Sequence, residues 1–197
     1  DIDTSNIIVA YNTNGTYFPT EEQIKLYSNF SSVEFQISID DVDSRFEYQR
    51  KLGNWNEVKE NITNFQKEKQ HNNNIDAILD PTISIFNLFY LEEIAAEFAS
   101  MGFTDLSENY HFVNTGYYAI DQLPQPIKDI VTEKYKDNNN VWISNAVKYM
   151  NRRPANPKMW IQLQNSTAIL DRLRTENLEV VFPEFWKVIQ PYWNTDE

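Results

Sequence analysis

From Ile7 to Asn114 the chain alternates between short β-branched or aromatic runs and longer stretches with helical spacing, and turn residues mark each switch. Ile7 to Asn12 reads as a strand, buried at Ile7-Ile8-Val9 and stopped by Asn14-Gly15. Pro19, Thr20, Glu21 and Glu22 then read as a helix start, with acidic residues in the first turn where the helix dipole favours them. Val33 to Ile39 is a second strand, and a helix over Asn54 to Lys69 places Trp55, Val58, Ile62 and Phe65 on one face. Beyond the polar turn Asn72 to Asn74, Ile75 to Ile85 reads as a third strand interrupted by Pro81. Leu91 to Met101 has helical spacing, with Gly102 as its C-cap, and Tyr110 to Asn114 reads as a fourth strand. Strands and helices in strict alternation imply βαβ units and a parallel sheet.

From Pro124 the pattern changes. The stretches "QPIKDIVTEKY", "VWISNAVKYMN", "PKMWIQLQNSTAILDRLRT" and "FPEFWKVIQPYW" all carry helical spacing, and no further strand is legible. The fold class expected is therefore α/β, with parallel strands first and a helical extension after them.

Composition narrows the function. A formal net charge of -12 opposes binding to a phosphate backbone, so no nucleic-acid partner is expected. No apolar run approaches the roughly 20 residues that span a bilayer, so no membrane partner is expected and the default location is cytoplasmic. The chain has no cysteine, which removes thiolate metal ligands, a thiol nucleophile and disulfides together. The two histidines, His71 and His111, fall on different elements, and no Gly-x-Ser-x-Gly elbow occurs. With four glycines there is neither a P-loop nor a dinucleotide fingerprint. The acidic run "SIDDVDSRFEYQR" fails as a calcium loop, because counting from Asp41 puts Phe46 where the sixth-position glycine belongs. It reads as a solvated acidic turn, with Ser38 and Asp40 as caps for the next segment.

What remains is a pair of polar strand ends, "YNTNG" and "SIDD". In parallel sheets, ligands bind beyond the carboxyl ends of the strands, where loops deliver side chains.

Those strand ends carry a resemblance. "NTNGT" followed by a helix, then "ISIDDVDSRFEYQRKLGNWNEVKENI", resembles the fourth and fifth β/α units of radical S-adenosylmethionine (SAM) enzymes of the SPASM or twitch branch. "AILDPTISIFNLFYLEEIAAEF" is similar to the sixth unit, and "LDRLRTENLEVVFPEFWKVI" resembles the C-terminal segment of twitch-type members. The resemblance implies half of a partial β/α barrel of TIM type over residues 1–118 and a helical twitch-like extension over 119–197. It assigns Ser38 and Arg50 to the methionyl carboxylate of SAM, Asn12 and Thr13 to the ribose and amino group, and Pro81 and Thr82 to the passage of the sixth strand beside the adenine. Asp41 stands where the family motif has glycine. The family's Cys-x3-Cys-x2-Cys, which holds a 4Fe–4S cluster, has no counterpart here, so the cluster is expected on an upstream segment and none on this chain.

The resemblance thus implies a fragment of a radical SAM enzyme that supplies part of the SAM site and contacts a peptide or small-molecule substrate, inactive by itself. The competing expectation is a non-catalytic binding or assembly module. Both predict a homo-oligomer formed through the exposed surface of the half-barrel, because an uncovered strand edge invites pairing.

Overall fold

The computed structural model describes residues 3–104, 106 and 109–193. They form two compact units, one of the described residues in 3–81 and 93–110, the other of those in 82–92 and 111–193.

The first unit is built on three parallel strands, β1 (Ile8–Thr13), β2 (Ser32–Ile37) and β3 (Ile75–Leu79), in the order β1-β2-β3. The register sets Asn12 opposite Gln36 and Thr13 opposite Ile37, then Phe35 opposite Ala77 and Ile37 opposite Leu79. Helix α1 (Glu21–Tyr27) links the first pair, while α2 (Asp43–Gln49) and α3 (Trp55–His71) link the second. A capping box starts α1: the Gln23 N–H donates to the Thr20 hydroxyl, and the Gln23 side chain accepts from the Thr20 N–H.

Trp55, Val58, Ile62 and Phe65 are all buried, as their spacing predicts. Phe35 meets Phe65 at 4.7 Å between ring centroids, and Tyr27 of α1 at 5.7 Å. These rings fix the helix-covered face of the sheet as the one bearing Val33, Phe35, Ile37, Ile75, Ala77 and Leu79, each buried. Two-residue alternation sends Glu34, Gln36, Asp76 and Ile78 to the opposite face, where each is half-buried.

Four expectations need correcting. Ile7 and Ile8 are 41% and 72% exposed, because among the described residues β1 is an outer strand that pairs with β2 alone. The third strand ends at Leu79: Asp80-Pro81 breaks it, since proline donates nothing to a ladder, and a separate short strand β4 (Thr82–Ile83) follows. The fourth expected strand shrinks to β5 (His111–Phe112), which pairs in parallel with β4. The acidic run is no solvated turn, because it contains α2 and closes Asp41 off from solvent.

The second unit is chiefly helical: α5 (Gln125–Lys134), α6 (Val141–Met150), α7 (Pro157–Arg174), α8 (Leu178–Val181) and α9 (Pro183–Ile189). Helix α4 (Leu91–Ser100) starts in this unit and has residues 93–100 in the first. Ile127, Val131, Trp142, Ile143, Met150, Leu163, Phe182, Phe185 and Ile189 are buried in this unit. Tyrosine hydroxyls tie its segments: Tyr135 donates to the Leu88 carbonyl at 2.9 Å, and Tyr90 accepts from the Phe185 N–H at 3.1 Å. Among the described residues, no helix is long and apolar enough to cross a membrane.

Candidate functional site at the carboxyl ends of the strands

The ends of β1 and β2 are held together by backbone and packed from behind. The Ser38 N–H donates to the Thr13 carbonyl at 2.8 Å, and the Asp80 N–H to the Ile37 carbonyl at 2.9 Å. Beyond Thr13 the chain turns through Gly15 at φ +76°, in the left-handed region open to glycine. A Cβ there would lie 3.2 Å from Val58 Cγ1 and 3.3 Å from Ile37 Cγ2, so the turn sits tight against α3. Asn61 of α3 donates to the Gly15 carbonyl at 2.9 Å, and the Asn14 carboxamide accepts from the Thr16 N–H at 3.1 Å. This rim is therefore a rigid platform.

Asn12 and Ser38 alternate onto the face away from the helices, in the same row as Gln36. Asn12 is exposed and Ser38 half-buried. Thr13 points by the same alternation toward the helix side, and its hydroxyl accepts the Gly15 N–H at 3.2 Å, which makes it a turn residue. Arg50, at the end of α2, reaches back to the β2 terminus: its Nε and Nη2 lie 3.2 and 2.8 Å from Asp40 Oδ2. Pro81 is buried at the break after β3, and Thr82 opens β4 in the second unit, its carbonyl accepting from Asn87 at 2.8 Å. The first unit thus brings Asn12, Thr13, Ser38 and Arg50 to one end of its sheet, and Thr82 belongs to the other unit.

Ser38 and Asp40 do not cap α2, whose N-cap is Val42. The residue that organises this segment is Asp41. Its Oδ1 accepts from the Val42 N–H and from Arg45 Nε, each at 2.9 Å, and its Oδ2 from Gln49 at 2.9 Å. Burial pushes the Asp41 carboxyl up to about 7, against the opposing pull of the Arg45 guanidinium. Arg45 also reaches Glu93 Oε2 at 3.1 Å. Gln36 escaped the sequence analysis, and Asp41 entered it only as an acidic-loop and motif position, not as a buried anchor. Gln36 was legible through its two-residue offset from Ser38, whereas nothing local distinguishes Asp41 from its acidic neighbours.

This end of the sheet offers an amide, a hydroxyl and a carboxylate-held guanidinium, a set that binds and orients a polar ligand. Among the described residues, no group of three His, Asp or Glu side chains could hold a metal ion. A separate groove of about 410 Å³ lies between α1 and α3, and Phe18, Ile24, Ser28 and Asn72 help to line it. No family model, curated protein or solved structure matches the chain.

Proposed function

We propose that the first unit is half of a partial β/α barrel and supplies part of the SAM and substrate site of a radical SAM-type enzyme of the cytoplasm. The observation that carries this reading is a parallel sheet covered by helices on one face, with Asn12, Gln36 and Ser38 on the other face and Arg50 beside them. In a β/α barrel the face away from the helices is the interior, and the carboxyl rim is where ligands sit.

The two groups this reading implies fit the chain differently. A 4Fe–4S cluster needs thiolates, and with no cysteine in the sequence this chain has no place for it, so no reaction step is assigned to these residues. SAM suits them better: Asn12 and Ser38 offer the amide and hydroxyl that ribose and amino groups require, and a guanidinium matches a methionyl carboxylate. That carboxylate would have to compete with Asp40 for Arg50. Under this reading the chain binds and orients, and by itself it catalyses nothing.

The test is a calorimetric titration of the protein with SAM. Arg50→Ala should weaken binding by about ten- to a hundredfold, the equivalent of roughly 1.5–3 kcal/mol for a hydrogen-bonded charged pair. Arg50→Lys should recover only part of the loss, because a lysine cannot donate the planar fork. An affinity unmoved by Arg50→Ala would remove that residue from the site, and no saturable binding would remove SAM.

A second reading rests on its own observation. Ile8 is 72% exposed on the outer strand β1, and an uncovered edge with an apolar side chain suits an assembly module that pairs with a second copy. Sedimentation of the wild type against Ile8→Lys decides it: a dimer dissolved by the lysine supports assembly, and a monomer in both dismisses it.

A further inference from the structure

The loop Asn151-Arg152-Arg153-Pro154-Ala155-Asn156, between α6 and α7, is fastened at both ends within the second unit. Asp121, closed off from solvent in the single 3-10 turn Ile120–Gln122, accepts on Oδ2 from Arg152 Nε at 2.7 Å and lies 2.8 Å from Arg153 Nε. The buried Lys128 ammonium donates to the Arg153 carbonyl at 2.8 Å. At the far end, the Asn156 N–H donates to Gln122 Oε1 at 3.0 Å, and Gln122 Nε2 donates to Asp121 Oδ1 at 2.7 Å.

The fastened loop forms one wall of a pocket of about 410 Å³, inside the size range of small-molecule sites. Pro124, Pro154, Ala155, Pro157, Trp160 and Ile161 provide its apolar lining, with Gln122 and Gln125 at the margin. Three proline rings restrict the backbone, so the shape exists before a ligand arrives. Trp160 is held as well: its indole N–H donates to the Tyr192 carbonyl at 3.0 Å, which leaves hydrocarbon for the pocket.

Charge at this loop runs against the rest of the molecule. In a chain of net charge -12, Lys128, Arg152 and Arg153 gather around the single carboxylate of Asp121. Asp129 of α5 accepts from Gln125 at 2.8 Å. Two arginines share the Asp121 carboxylate and Lys128 sits on the Arg153 carbonyl, and the Arg152 and Arg153 side chains are 39% and 50% exposed. The Arg153 guanidinium is held at Asp121, the chain neighbour of the lining residue Gln122, and Arg153 itself precedes the lining residue Pro154, so this charged cluster flanks two of the pocket's lining residues in the chain.

We propose that this pocket binds a small amphipathic anion, an aromatic or branched hydrocarbon carrying one carboxylate, with the hydrocarbon between the prolines and Trp160 and the carboxylate toward Arg153. The site lies wholly in the second unit and does not depend on the function of the first.

Indole-3-acetate and its neutral analogue indole-3-acetamide serve as probes, followed by shifts of the tryptophan indole N–H resonances. The acetate should bind saturably, and tighter than the acetamide by about fivefold, the scale of one partly exposed ion pair. Arg153→Gln should erase that preference while leaving acetamide binding as it was. Ala155→Trp fills the pocket, and Ile161→Glu places a repelling charge at a position 49% exposed in the native fold; either should abolish acetate binding. Should one of these variants fail to fold, the other decides. Equal affinity for the two probes overturns the anion assignment. Binding that survives in a folded pocket variant, or no saturable shift at all, overturns the site.

Discussion

Asp41 in the first unit and Asp121 in the second are both fully closed off from solvent, and they are held in opposite ways. Burial acts on each by raising its affinity for a proton. At Asp41 burial prevails over the Arg45 guanidinium and the hydrogen bonds from Val42 and Gln49, and the carboxyl rises to about 7. At Asp121 burial is outweighed by hydrogen bonds from Gln122, Arg152 and Arg153, and the carboxyl falls below the usual range. The charge state of such a carboxylate follows from the balance between the loss of water around it, which weighs more heavily at Asp41, and the hydrogen bonds and cations committed to it. The difference also matches location, since Asp41 braces the segment behind the candidate site and Asp121 anchors the loop that walls the pocket.

The largest expected effect tests that contrast directly. Asp41→Ala should cost about 3–5 kcal/mol of folding stability, because the Val42 N–H, Arg45 Nε and the Gln49 amide all lose their common acceptor in the interior. Asp121→Ala should cost about 1.5–3 kcal/mol, since Arg152 and Arg153 are partly exposed and can turn back to water. Denaturant titration of both variants gives the order, and a reversed order would break the comparison.

The same pair predicts opposite pH dependence. Asp41 binds its proton more tightly folded than unfolded, so its contribution to stability is full below about pH 4 and lost as pH rises to about 7. Asp121 releases its proton more readily when folded, so its contribution holds above about pH 4 and is lost as the solution becomes more acid. Thermal melts from pH 3 to pH 8 should show Asp41→Asn flattening the slope between about 4 and 7, and Asp121→Asn flattening the acid limb alone.

Two glycines in the left-handed region supply the smallest effect. Gly15→Ala and Gly116→Ala should each meet backbone strain of about 1–2 kcal/mol. Only Gly15 adds crowding, from Val58 and Ile37, whereas a Cβ at Gly116 meets nothing within 4 Å. Gly15→Ala should therefore be the worse of the two in the same denaturant assay. Equal losses would mean the rim is less tightly packed on α3 than its distances imply.

Much of the frame was legible because it depends on local periodicity. Trp55, Val58, Ile62 and Phe65 repeat at helical spacing, and Val33, Phe35 and Ile37 alternate, so each announces its element and its buried face without knowledge of neighbours. Asn14-Gly15 announces a turn for the same reason. Among the residues expected at the site, Asn12 and Ser38 share a strand-end row, while Thr13 and Arg50 turn out to be engaged by Gly15 and Asp40. Those engagements join residues whose proximity no spacing rule announces.

By itself the sequence determined that strands and helices alternate, that β2 and β3 bury their odd-numbered residues, that the second half is helical, and that no thiolate chemistry belongs to this chain. Local spacing and composition suffice for these. Only the tertiary structure decided that Ile8 lies on an outer strand, that Asp41 is closed off while Asp43 is exposed, and that two arginines converge on Asp121. The physical reason is that burial and charge pairing are set by segments distant in the chain: Glu93 lies 48 residues beyond its partner Arg45, and Arg152 lies 31 beyond Asp121.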